Sequence, residues 1–205
     1  MRYFHYSIAA LWLAACGPPR YVNQEAETQN VCGQIAPRSF DSNWYNASVD
    51  VMGRHFSGLL LIKNLNALEQ RVVFTSEAGL TFFDFEFKDD QFKVHNVVRQ
   101  FDRRAIIRTL RKDLGLLLAL PFRAGNFTHY ESADERYFAV DEKNETAYFI
   151  TSKDCASLRR LELGNKRRAT VSITFPGSSY PAPDSIVLRH HTFDLRVNLV
   201  RIKKE

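Results

Sequence analysis

From Asp41 onward, short runs of alternating apolar and polar residues are separated by turn residues. Residues 44–52 alternate with period two, and 53–55 form a turn. An apolar run at 56–63 is closed by Asn64, Leu65 and Asn66. Residues 70–75 follow, and Ser76, Glu77, Ala78 and Gly79 turn the chain. The stretch 80–87 is the clearest strand: Phe83, Phe85 and Phe87 share one face, and Phe82, Asp84 and Glu86 share the other. Asp89, Asp90 and Gln91 then lead into 92–98. The pattern predicts a meander of antiparallel strands.

The period changes once. Asp102 stands where a helix cap belongs, and the spacing predicts a helix over 103–118. Ile106, Ile107, Leu110, Leu114 and Leu117 fall on one stripe, with Arg104, Arg108, Arg111 and Lys112 opposite. After Pro121 the strand pattern resumes at 127–131, 136–140, 147–152, 158–163, 169–175, 185–191 and 193–202. Residues 142–145 form a turn, and the proline-rich stretch 176–183 reads as a surface loop. The predicted fold class is mainly β: a strongly curved antiparallel sheet, or half-open β-barrel, with one principal amphipathic lid helix. A sheet of about ten strands tends to curl. The helix stripe needs an apolar surface, and the aromatic strand at Phe83, Phe85 and Phe87 offers one.

The N-terminus has a different grammar. Arg2 precedes an uncharged apolar run that ends in Leu13, Ala14, Ala15 and Cys16. That run is too short for a permanent span of about 30 Å of hydrocarbon and fits an export signal over 1–15. The Leu-Ala-Ala-Cys quartet resembles a bacterial lipobox. The resemblance implies that Cys16 is lipidated and becomes the mature N-terminus; a plain secretory peptide with a chance cysteine is the alternative. Gly17 follows Cys16, without the aspartate associated with inner-membrane retention in some bacteria, which favours the outer membrane facing the periplasm. Residues 16–40 are polar, begin Gly17-Pro18-Pro19 and read as a tether, leaving 41–205 as the folded domain. With Cys16 so used, Cys32 and Cys155 remain as an even pair in an oxidising compartment, where a disulfide is expected.

Composition adds little chemistry. Sixteen Phe and eight Tyr favour strands. The net charge of +5 is spread among acids, and no nucleic-acid module accompanies it. It suits anionic headgroups and a plain solvated surface equally. No GxSxG, HExxH, Walker or GxGxxG pattern is present, so no catalytic residue, metal site or cofactor is expected. His190 and His191 are adjacent and point to opposite faces of a strand, so they do not chelate together.

The stretch Arg71-Val72-Val73-Phe74-Thr75-Ser76-Glu77-Ala78-Gly79-Leu80-Thr81 resembles a segment of the outer-membrane lipoprotein receptor LolB. The helix after the fifth strand agrees with this, as does the ending at Pro183-Asp184-Ser185-Ile186 followed by alternating Leu, Val and Ile. The resemblance to LolA/LolB-like proteins implies a half-open barrel with a helical lid and a cavity for acyl chains, carrying or receiving lipids or lipid-modified proteins and performing no catalysis. It also implies an exposed leucine in the turn after the third strand, where this chain has Ala78.

The expected function is that of a lipid-anchored envelope lipoprotein. It would bind a lipid, acyl chain or lipidated protein against Phe83, Phe85, Phe87, Ile106, Ile107, Leu110, Leu114 and Leu117. Its partners would be the membrane, through the anchor, that hydrophobic ligand, and an envelope protein complex. The alternative is a structural lipoprotein of such a complex with a packed interior, since cavity-lining and core phenylalanines look alike in sequence.

Overall fold

The computed structural model describes residues 40–89, 91–123, 126–165, 167–177 and 183–203. The expected signal peptide, Cys16, Cys32 and the tether up to residue 39 lie outside them, as do Asp90 and part of the 176–183 loop.

Five strands form the first meander: β1 (Ser42–Val51), β2 (Arg54–Asn64), β3 (Glu69–Thr75), β4 (Thr81–Lys88) and β5 (Gln91–Val97). The helix α1 (Arg104–Leu117) follows, then one 3-10 turn at Leu120–Phe122. The second meander comprises β6 (Thr128–Glu131), β7 (Glu135–Glu142), β8 (Glu145–Ser152), β9 (Leu158–Gly164), β10 (Ala169–Thr174), β11 (Ser185–His190) and β12 (Leu195–Arg201). All twelve strands lie in one antiparallel sheet ordered β5-β4-β3-β2-β1-β12-β11-β10-β9-β8-β7-β6. Pairing of β1 with β12, from Tyr45 opposite Arg201 to Val51 opposite Leu195, joins the two meanders. Strands β5 and β6 are the free ends of this order, so the curved sheet is not closed into a barrel.

Alternation decides which face is the core. Tyr45 and Ala47 on β1, Leu60 and Ile62 on β2, and Val72 and Phe74 on β3 all turn inward, joined by Phe83, Phe85 and Phe87 on β4. From the second meander come Phe138, Phe149, Leu161, Leu163, Val171, Ile173, Ile186 and Leu188. Each Val, Leu, Ile or Phe side chain so removed from water contributes about 1.5–3 kcal/mol. The outer face of the first meander is polar and paired. Arg71 grips Asp84 through two hydrogen bonds of 2.7 Å, and His95 meets Glu86 at 2.6 Å. Gly58 is needed on β2 because a Cβ there would run into the backbone carbonyl of Thr75.

Two local expectations are corrected. Phe82 does not share the wet face with Asp84 and Glu86; it is buried. The register slips between Phe74, opposite Phe83, and Thr75, opposite Thr81, so Phe82 is the extra residue of a bulge. A bulge re-aims a side chain that simple alternation would send outward. Asp102 does not cap the helix. Arg103 holds the cap position in an extended conformation, with no side-chain hydrogen bond to the helix.

Candidate functional site

The candidate site is the contact between the inner face of the sheet and α1. Its floor is aromatic in three groups. Phe83 stacks on Phe85 with centroids 4.6 Å apart, and Phe92 of β5 stands edge-on to Phe85 and tilted against Phe87, at 5.1 Å from each. Phe82 gathers Phe56, Phe74 and Phe101. Farther along the sheet, Phe149 lies against Phe122 and Phe138, and Phe127 completes that group.

The helix is unequal along its length. Leu114 and Leu117 belong to the core cluster, and Leu110 packs at its margin. Ile106 and Ile107 are half-buried and stand outside that cluster. The structure thus brings Phe83, Phe85, Phe87, Leu114 and Leu117 into one buried assembly, borders it with Leu110, and leaves the first helical turn partly wet. The basic face, Arg104, Arg108, Arg111 and Lys112, is exposed as its spacing requires. The Arg111 guanidinium sits 5.3 Å from the centre of the Phe92 ring.

Sequence reasoning missed how α1 ends. Leu116, Leu118, Ala119 and Phe122 are all buried, because the chain leaves the helix through a left-handed Ala119 (φ 55°) and enters the interior. The signal was the unbroken apolar run from Leu114 to Phe122, since a helix apolar all round is buried all round. The 3-10 turn is tied across the sheet by Arg123, which donates to the Gln70 side chain at 2.6 Å.

A second missed feature is polar. Asp113, on the buried half of α1, is only 3% exposed. His190 of β11 reaches it, Nε2 to Oδ2 at 2.8 Å. The His190 ring also lies on Phe193, with centroids 4.2 Å apart. Burial drives the Asp113 carboxyl above the usual range, against the opposing pull of His190. Beside it Lys112 pairs with Glu145 of β8, which also accepts a hydrogen bond from Thr170 of β10 at 2.8 Å.

Three further observations concern the expected residues. Cys155 lies in the turn between β8 and β9 with φ 62°, and Arg136 approaches its sulfur at 3.4 Å. The turn after β3 is closed by the Ser76 N–H donating to the Leu80 carbonyl at 2.8 Å. Ala78 is exposed in that turn, and Leu80, two residues on, is its exposed large apolar side chain. A cleft of about 590 Å³ opens beside β1, β2 and β12, lined by Trp44, Leu59, Ile202 and Lys203 among others. None of the expected ligand residues lines it.

No family model matches the chain, and no curated protein matches it by sequence. Solved structures do. A LolA superfamily protein from Nitrosomonas europaea superposes with a TM-score of 0.51 at 10% identity, covering 85% of this chain and 87% of that one. A putative outer membrane lipoprotein-sorting protein domain from Vibrio parahaemolyticus aligns at TM-score 0.48 and 9% identity, covering 80% and 85% of the two chains. A DUF1329 family protein from Desulfovibrio piger aligns at 0.43 and 9%, covering 80% and 84%. At such identities the likeness concerns the fold. An unclosed, curved antiparallel sheet, holding one principal helix against its inner face, gives this chain a LolA-like fold.

Proposed function

We propose that the protein is a lipid-anchored lipoprotein of the cell envelope, attached through Cys16, that binds a lipid, acyl chain or lipidated protein between its sheet and α1. The observation that carries this is the aromatic inner face covered by a helix whose first half is only half-buried. Such a helix closes an apolar surface without being locked over all of it. The LolA-like fold supports the same reading. Binding, rather than catalysis, is the activity proposed, and the outer membrane facing the periplasm is the proposed location. Lipidation predicts that Cys16→Ser abolishes fatty-acid labelling and membrane fractionation; unchanged labelling would contradict it.

A second reading has an observation of its own. Phe83, Phe85, Phe87, Leu114 and Leu117 are each at most 7% exposed within one continuous cluster. That favours a solid interior, in a protein that offers its surface to an envelope complex. Titration with a fluorescent fatty acid separates the two. The binding reading predicts saturable uptake by the full chain, lost in Leu110→Arg while the circular dichroism stays that of the folded protein. Absence of uptake by the unaltered chain supports the solid interior and overturns the first reading.

A further inference from the structure

The buried half of α1 carries a titratable contact that the binding surface itself does not use. Asp113 and His190 have side chains only 4% and 8% exposed, and they meet at 2.8 Å. Oδ1 of Asp113 and Nδ1 of His190 are buried without a hydrogen-bond partner among the described residues. The two groups therefore depend on each other. A proton shared between them leaves the pair neutral as a whole, as carboxylate with imidazolium or as acid with imidazole. Adding a proton leaves a buried positive charge, and removing one leaves a buried negative charge; either is costly away from water.

The surroundings do not relieve such a charge. On α1 the neighbouring ion is Lys112, already paired with Glu145 of β8. Arg189 of β11 and His191 just after it flank His190 and are exposed, His191 meeting Ser172 at 2.9 Å. On β9, the strand α1 packs against, the inward residues Leu161 and Leu163 are apolar. The 3-10 turn brings Arg123, engaged with Gln70. In contrast, the first half of α1 has no buried polar tie among the described residues: Arg104 and Arg108 are exposed, and Ile106 and Ile107 are half-buried.

We propose that the Asp113–His190 pair is a proton-sensitive latch that fixes the C-terminal half of α1 to β11, so that the lid opens at its N-terminal half while the latch holds and releases as a whole when the pair gains or loses a proton. The inference rests on the reading that α1 covers the binding surface and adds how that cover is controlled. The raised Asp113 carboxyl agrees with it, since burial there favours the protonated form.

Hydrogen–deuterium exchange of the full chain, read across pH and corrected for the intrinsic pH dependence of exchange, tests the latch without any ligand. At intermediate pH the segment 111–117 is expected to be strongly protected and 104–110 weakly so. Protection of 111–117 falls on both the acid and the alkaline side, on the order of tenfold, as the pair takes on an uncompensated buried charge. In Asp113→Asn the alkaline limb disappears, because the asparagine–imidazole pair stays neutral there, while the acid limb remains. His190→Gln, which keeps an N–H donor, removes the acid limb. A monotonic or flat profile in the unaltered chain overturns the latch, as does equal protection of the two halves. The unaltered profile needs no variant to fold. Fatty-acid uptake is read separately, so a bell-shaped profile without uptake sustains the latch while refuting the ligand.

Discussion

Glu135 is the residue whose chemistry is best specified outside the core. Burial alone would raise its carboxyl, but hydrogen bonds from Arg160 and from the Tyr137 hydroxyl, with the charges of Arg160 and Arg159, hold it below the ordinary range. Arg160 also donates to Glu162 at 2.8 Å, so one guanidinium serves two carboxylates. A carboxyl depressed in the folded state contributes stability above its unfolded value and loses it as pH falls through its folded value. Glu135→Gln should therefore flatten the acid side of the stability-against-pH curve, measured as urea midpoints from neutral pH downward. An unchanged acid slope would show that the cluster contributes nothing. Sequence reasoning did not find this cluster, because Arg160 and Glu135 lie 25 positions apart. Asp113 and His190 were hidden more deeply, 77 positions apart. Alternation put His190 on a face; no local period says which residue a helix will bring to it.

At the scale of elements, local periodicity carried further. Each predicted strand is present, and the helix was legible from its 3.6-residue stripe, because these patterns are set by which side chains must leave water. The failures lie where one residue breaks the period. Phe82 is displaced by a bulge, and Arg103 takes the cap position beside a plausible Asp102. The stripe also implied an evenly buried helix, whereas burial is concentrated from Asp113 onward. That asymmetry has an energetic consequence. Leu117→Ala should cost about 2–5 kcal/mol by leaving a cavity in the core. Ile106→Ala, on the half-buried turn, should cost less than about 1 kcal/mol. Equal losses in chemical denaturation would mean that the helix is uniformly anchored.

For the whole molecule, the β1–β12 pairing makes the two meanders one body, and the order of strands leaves β5 and β6 unpaired with each other. The sequence showed two meanders around a helix; it did not show which strands would join them, since that pairing links the first strand to the last. We further propose that Cys32 pairs with Cys155. Closing a loop of about 120 residues stabilises by on the order of 4 kcal/mol in the chain-entropy description. Alkylation of the denatured, non-reduced protein should then find neither thiol, and labelling of both would refute the bond.

Native mass spectrometry of the protein purified from bacterial membranes reads whether a hydrophobic ligand is held between the sheet and the helix. A bound ligand gives a population carrying a non-covalent adduct of lipid mass, released by mild collisional activation and absent from Leu110→Arg. A single ligand-free mass in every preparation, with the solvent-extracted protein containing no lipid beyond that attached at Cys16, would contradict the proposed binding.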